Sequence, residues 1–398
     1  MKRVRIIIAW LHVSIIVITP LPAQEQKEGS KKLEVNGYFT SMQSVMDMDS
    51  LEGRWITDYR LTNRLNFYFY PTESLVFSLQ ERTRFIYGDP IRNDISGIYK
   101  KTMASDDGWM DLTFNLFDGN SYVFNLNIDR LWVKYTVSKL EITIGRQRIN
   151  WGQTYVWNPN DIFNAYSFFD FDYEERPGSD AVRLQYYTGP ASCAEVAVKA
   201  DSSKKITAAG LFRLNKWGYD IQLLGGVLNS EDLVAGLGWS GDIAGAGFKG
   251  EVSYFHPYRN IADTTGLLFL SVGADYTFKN SLYIGFEGLY SPLPVNSEMN
   301  FAQFYSEPLT VKNLSFAEYN LFLQVSYPIT PILNASFAGM YFPDISGYYL
   351  GPSCTYSLQD NLDFSVYLQF FKGKFPDITG SKVSQSFSLG FMRLKYSF

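Results

Sequence analysis

The chain has 398 residues, a formal charge of −5, 17% aromatic and 19% charged residues, and two cysteines. The acidic balance argues against a nucleic-acid partner, and so few cysteines cannot build a disulfide scaffold. No stretch beyond the N-terminus offers the roughly eighteen uninterrupted apolar residues of a membrane-spanning helix.

The N-terminus reads as a secretory signal. Met1-Lys-Arg-Val-Arg5 is positive, Ile6 to Ile18 is apolar, and Pro20-Leu-Pro-Ala-Gln24 supplies small residues, with cleavage expected after Ala23. Losing Lys2, Arg3 and Arg5 removes three positive charges from −5 and leaves a mature chain at −8. No Cys follows the cleavage region, so a lipid anchor is not expected. Residues 24–32 form a short polar periplasmic leader with no plug domain.

From Leu33 onward the chain alternates. In the segment Trp55 to Tyr70, Tyr59, Leu61, Leu65, Phe67 and Phe69 share one parity, while Asp58, Arg60, Thr62, Arg64 and Asn66 share the other. Side chains alternate across a strand, so one face meets lipid and the other water. A charged side chain facing lipid at mid-depth costs about 2–4 kcal/mol, which sends the arginines inward. The next strand repeats the pattern, with Val76, Ser78, Gln80, Arg82 and Arg84 opposite Leu75, Phe77, Leu79 and Phe85. An acidic loop, 88–120, follows. Tyr122 to Tyr135 then returns, turns at 136–139 and leads into Leu140-Glu-Ile-Thr-Ile144. Arg130 reaches the inner face only if a bulge near Asp129 shifts the register, and Gly145 can do the same for Arg146 and Arg148.

Next comes a stretch of about thirty residues dense in Trp, Tyr, Phe, Asn and Asp, ending at the strand Ala181 to Tyr187; loops rarely carry so many aromatics. Further alternating segments fall at about 190–200, 205–214, 219–229, 232–240, 244–256, 266–278, 282–290, 318–327, 333–341, 347–358, 362–371 and 383–398. Connections after even-numbered strands are short, and those after odd-numbered strands include every long one: 88–120, 149–180, 257–265, 291–317 and 372–382. Short periplasmic turns alternating with long outer loops, together with aromatic excess, are features of outer-membrane barrels. The expectation is one all-β, transmembrane antiparallel β-barrel over 33–398, with about 18 strands, or 16 if two short middle segments are not strands. A secreted sandwich or propeller is the competing fold, but its shorter strands and repeats are not found. Cys193 and Cys354 fall on distant strands as small wall residues.

The final strand, Phe391-Met-Arg-Leu-Lys-Tyr-Ser-Phe398, resembles the C-terminal recognition signal of barrels folded into the bacterial outer membrane. That resemblance implies the barrel-assembly machinery as a partner, alongside outer-membrane lipid and lipopolysaccharide.

Catalysis finds little support. The one mature histidine, His256, lies at a strand end with no nucleophile motif beside it. No Cys/His cluster has metal-ligand spacing, and no cofactor motif is present. Asp170, Asp172, Glu174 and Glu175 offer the oxygens Ca²⁺ uses and equally suit a solvated loop. The arginines are the stronger signal: Arg60, Arg64, Arg82, Arg84, Arg130, Arg146, Arg148 and Arg183 all fall in the first six strands. Arginine ladders attract anions; pairing with Asp58, Glu81, Asp129 and Glu141 would instead make them a neutral brace. The two are compatible.

The run Gly145-Arg-Gln-Arg-Ile-Asn-Trp-Gly152, followed by Asn158-Pro-Asn-Asp161 and Arg176-Pro-Gly-Ser-Asp-Ala-Val-Arg183, resembles the alginate-export-type porins and neighbouring families of outer-membrane porins. The likeness is sharp over 140–187. It implies an eighteen-strand diffusion channel with an arginine-rich passage for an acidic polysaccharide or other anions. Arg146, Gln147, Arg148 and Arg183 would line the passage, and Trp151 and Asn158 would shape the loop. The tryptophan-rich run through Trp157 and the acidic loop 88–120 depart from that pattern. The expected function is a non-enzymatic porin-like channel for small anionic or saccharide solutes, with loop 149–180, including Trp151, Trp157, Asn158 and Asp161, folded inward as the constriction. The alternative is a non-conducting envelope barrel serving adhesion, assembly or anchoring.

Overall fold

The computed structural model describes residues 32–48, 55–94, 96–166, 175–259, 261–292, 309–376 and 381–398. The expected signal peptide 1–23, nearly all of the leader, and Asp170, Asp172 and Glu174 lie outside these. The wall begins with β1 (Leu33–Met48), β2 (Ile56–Thr72) and β3 (Leu75–Gly88). It continues through β4 (Thr113–Asp118), β5 (Tyr122–Val137), β6 (Leu140–Gln147), β7 (Ser179–Gly189), β8 (Ser192–Ala200) and β9 (Ile206–Lys216). Then follow β10 (Tyr219–Leu228), β11 (Asp232–Ile243), β12 (Ala246–Pro257), β13 (Leu267–Thr277) and β14 (Tyr283–Tyr290). The last five are β15 (Tyr319–Thr330), β16 (Leu333–Phe342), β17 (Gly347–Gln359), β18 (Leu362–Pro376) and β19 (Lys382–Ser397).

Every pairing is antiparallel between sequence neighbours except two. β3 pairs β5 directly, and β1 pairs β19 from Tyr38↔Ser397 to Met48↔Phe387, which closes the sheet. Paired hydrogen bonds between Gly37 and Phe398, at 2.9 and 3.0 Å, finish the seam. β4 pairs only the outer half of β5. Setting it aside, the nineteen-stranded sheet is a closed eighteen-strand barrel, as the spacing of alternating segments predicts. No helix among the described residues is long and apolar enough to cross a membrane; the strands do the crossing.

The two-residue turns Trp217-Gly218 and Ala244-Gly245 both have positive φ at both positions, the primed geometry that matches strand twist. Outward side chains such as Val182, Leu184, Val196, Leu223, Phe286 and Leu321 form an exposed apolar belt. Tyr135, Tyr186, Tyr276 and Tyr356 stand toward the rim of short turns, and Tyr87, Tyr122, Tyr254 and Tyr341 toward the opposite rim. Such a belt between aromatic girdles is the lipid-facing surface of a membrane barrel.

Two local features refine the sequence reading. The β3–β5 register steps from Gln80↔Arg130 to Glu81↔Ile128, so Asp129 is the extra residue of a bulge, which puts Arg130 on the inner face as its parity requires. Segment 88–120 is not one open loop. It holds a one-turn helix, Asp89–Arg92, a second short helix, Ile98–Met103, and β4. The alternation of Thr113-Phe-Asn-Leu-Phe117 favours that strand, and the acidic composition around it masks the signal.

Candidate pore constriction

The inward loop begins where β6 stops pairing. Gly145 has φ +115°, and a Cβ there would run into the Leu131 carbonyl, so only glycine turns the chain off the wall at this point. Above it β4 takes the place beside β5 that β6 vacates. Arg146 locks the departure: its guanidinium meets Asp180 at 2.7 and 2.9 Å and Asp106 at 2.7 and 3.0 Å, and also donates to the Met110 carbonyl. Burial opposes the charge on Asp106, yet the hydrogen bonds and charge of Arg146 outweigh it and hold the carboxyl below the ordinary range. Gln147 donates to the Thr143 and Ala181 carbonyls and is buried in the sheet junction. At the return, Gly178 lies against the Asp129 carbonyl and the Arg146 and Arg130 side chains, leaving no room for a Cβ.

Between these points the chain lies inside the barrel. Ile149, Trp151, Val156, Trp157, Asn158, Asn160, Asp161, Ile162 and Phe163 are all buried. Trp151 donates its indole N–H to Glu195 on β8 at 2.6 Å, packs edge-on to Phe163 and accepts from Gln222 on β10 through its carbonyl. Trp157 meets Phe322 on β15 edge-on.

The backbone between the two tryptophans is held by wall carboxylates. Glu251 on β12 accepts from the amides of Gln153, Thr154 and Asn160. Glu287 on β14 accepts from those of Tyr155, Val156 and Trp157 at 2.7, 3.1 and 2.8 Å. Asn158 folds back against Gly152. Apolar side chains complete the seat: Ile149, Trp151, Ile162 and Phe163 pack on the arc from β7 to β13, and Val156 and Trp157 join Phe316, Phe342, Phe371 and Phe375. Burying this many amides requires acceptors, and the wall supplies them.

Beyond the part of the loop that lies outside the described residues, Glu175 meets the opposite wall, 3.3 Å from Arg64 and 2.9 Å from the Tyr38 hydroxyl on β1. The connection 148–178 therefore touches both sides of the lumen.

The arginines divide by environment. Arg64 is fully enclosed by Asp129 at 2.7 Å, Glu175, Asn66 and Gln80. Arg183 forms a two-point pair with Glu195 at 2.7 and 2.8 Å. Arg60 meets Asp58 at 3.1 Å, and Arg84 donates to Asn125 at 2.8 Å. Arg82 is buried on the same inward parity of β3; Glu81 takes the outward parity with Leu79.

Arg130 donates to the carbonyls of Asp129 and Arg176. Arg148 donates to Asn150 at 3.1 Å and stands 3.6 Å from Asp161. Arg176 lies over the Tyr166 ring, 3.2 Å from its centroid. Arg130, Arg148 and Arg176 are near enough to repel one another. Burial and those neighbours lower the Arg148 pKa despite Asp161. Burial raises Asp161 to about 6 against the opposing pull of Arg148 and the Trp151 amide, and raises Tyr166 to about 12.

Sequence reasoning missed Glu195, Glu251 and Glu287. Their inward parity on alternating strands was readable; their partner loop, distant in sequence, was not. His256 sits at the end of β12 with Nδ1 near the Pro257 carbonyl. Both cysteines are free thiols. Among the described residues no His, Cys, Asp and Glu group is arranged to hold a metal.

No protein-family model matches the chain, and no curated protein matches it. Solved structures do. The crystal structure of OccAB2 from Acinetobacter baumannii aligns with a TM-score of 0.57 at 10% identity, over 92% of this chain and 98% of that one. Those of OccK11 (OpdR) and OpdQ from Pseudomonas aeruginosa align at 0.56 and 0.55, each at 10% identity and over 92% of this chain, covering 96% and 99% of theirs. The fold is that of the outer-membrane porins.

Proposed function

We propose that the chain is a passive outer-membrane channel for small anionic solutes, with loop 148–178 as its constriction. One observation carries the reading: the lumen is divided by charge, and the loop covers the acidic side. The inner faces of β1, β2, β3, β5 and β19 carry Arg60, Arg64, Arg82, Arg84, Arg130, Lys134, Arg393 and Lys395, against Glu34, Asp58 and Asp129. The facing arc from β7 to β14 carries Glu195, Asp220, Asp232, Glu251, Asp275 and Glu287 against Arg183, Lys199, Arg213 and Lys249, and the carboxylates of Glu195, Glu251 and Glu287 are taken up by the loop and by Arg183. A passage along this first wall, which the loop meets at Glu175 and Arg176, therefore runs past cations although the protein is acidic, and low-dielectric walls focus that field. The resemblance of 140–187 to alginate-export-type porins supports acidic saccharides as one solute class.

By the same reading residues 1–23 direct export, and the strand ending at Phe398 engages the assembly machinery. The protein needs no catalytic group or cofactor for this role. A second reading, a non-conducting barrel for envelope anchoring or adhesion, is favoured by the aromatic cluster of Phe316, Phe342, Phe371, Phe375 and Phe387 that fills part of the lumen.

Purified protein in a planar lipid bilayer separates the two. Stepwise conductance that a small organic anion reduces on entry supports the channel. Persistent silence from folded protein supports the closed barrel.

A further inference from the structure

Five consecutive backbone amides, those of residues 153–157, all donate to two wall carboxylates, Glu251 and Glu287. Loops with this many buried amides ordinarily satisfy them by internal turns. The backbone bonds within this loop begin only further on, with Asp161 to the Asn158 carbonyl.

Among the described residues neither glutamate has a Lys or Arg within ion-pair distance; Lys249, on the same strand as Glu251, pairs with Asp275. Two buried anions and a row of orphan amides thus complete each other; beside the amides, Glu287 accepts from the Ser271 hydroxyl and Glu251 from that of Thr154. Charged acceptors make the stronger hydrogen bonds, and a buried amide left without one is costly.

From this geometry we infer that Glu251 and Glu287 are positioning residues, a two-point latch that sets the width of the channel by pinning segment 153–157 against β12 and β14. Without the latch the segment leaves the wall, and a wider route opens on the β10–β14 side. The inference rests on the channel reading for its consequence, but the latch itself can be tested separately.

Two measurements on the full-length protein do this, using Glu251→Ala/Glu287→Ala and, should that variant fold poorly, the shape-preserving Glu251→Gln/Glu287→Gln. The first is single-channel conductance in planar bilayers. The second is maleimide labelling of Val156→Cys, a buried position on the segment, with Cys193→Ala and Cys354→Ala in both backgrounds.

The latch predicts several-fold larger conductance with unsteady open levels, and labelling of residue 156 several-fold faster than with both glutamates present. The amide variant should fall between, because it keeps one acceptor oxygen per side chain but turns an NH₂ toward donors. If conductance and labelling both match the parent, apolar packing around Trp151 and Trp157 holds the loop and the latch is wrong. If labelling rises while parent and variant are equally silent, the latch stands and the channel reading falls.

Discussion

The Arg148 guanidinium stands 3.6 Å from the Asp161 carboxylate, whereas Arg146, two residues earlier, is gripped at 2.7 Å by both Asp106 and Asp180. The two side chains look interchangeable in the run Gly145-Arg-Gln-Arg148, yet one is a fastening and the other is loosely held, with its buried Nη1 short of a partner. Removing Arg146 strands two buried carboxylates, so Arg146→Ala should cost about 3–5 kcal/mol. Arg148→Ala, which breaks a longer and partly solvated pair, should cost on the order of 1 kcal/mol or less. Urea unfolding of the folded, heat-modifiable form in lipid measures both; equal losses would contradict the assignment.

Asp161 supplies a pH dependence of definite sign. Its pKa in the folded loop is about 6, above the roughly 3.9 of an unfolded Asp, so the folded loop binds that proton more tightly. Its penalty is present in full above pH 6, shrinks as pH falls through 6, and is gone below the unfolded value. Protonation also removes the negative charge beside Arg148, so anion preference should step up as pH falls from about 7 to 5. Asp161→Asn should show no such step in reversal potential near pH 6. A step of unchanged size in that variant would place the titrating group elsewhere.

Trp151 is fully buried and tied to Glu195, while Trp217 sits exposed in a turn between β9 and β10. Trp151→Ala leaves a cavity and a carboxylate short of a donor, for an expected loss of about 3–5 kcal/mol. Trp217→Ala should stay within about 0.5 kcal/mol. Hydrogen exchange should speed across residues 149–166 in the first variant alone.

Gly145→Val should fail at the strand-to-loop departure. A β-branched residue at φ +115° is strained, and its Cβ meets the Leu131 carbonyl. The yield of heat-modifiable barrel should drop sharply, whereas valine at the nearby outward position Ile144 should be tolerated.

The barrel was legible because alternation survives residue by residue. Asp58, Arg60, Thr62 and Arg64 against Tyr59, Leu61 and Leu65 fix which face is wet, and the misfit of Arg130 with Ile128 and Leu131 locates the bulge at Asp129. Strand β4 was hidden because six alternating residues sit among acids and glycines. The inward loop was legible only as a composition, aromatics where solvent should be. Its seat was not, since Glu251 and Glu287 lie about a hundred residues or more from the amides they hold, and nothing local marks them apart from inward parity. The pairing of Arg146 with Asp106 was equally out of reach, because it depends on segment 104–112 folding back over β6.

On the proposed channel reading, a net-acidic barrel presents a cationic passage because loop 148–178 occupies its acidic arc. Reversal potential in a KCl gradient at neutral pH tests it most directly, because charges farther than about 8–10 Å from the path are screened. The expected potential favours chloride in the parent and moves toward potassium in Arg130→Ala/Arg148→Ala. A potassium-selective parent, or a double variant with unchanged selectivity, would contradict it.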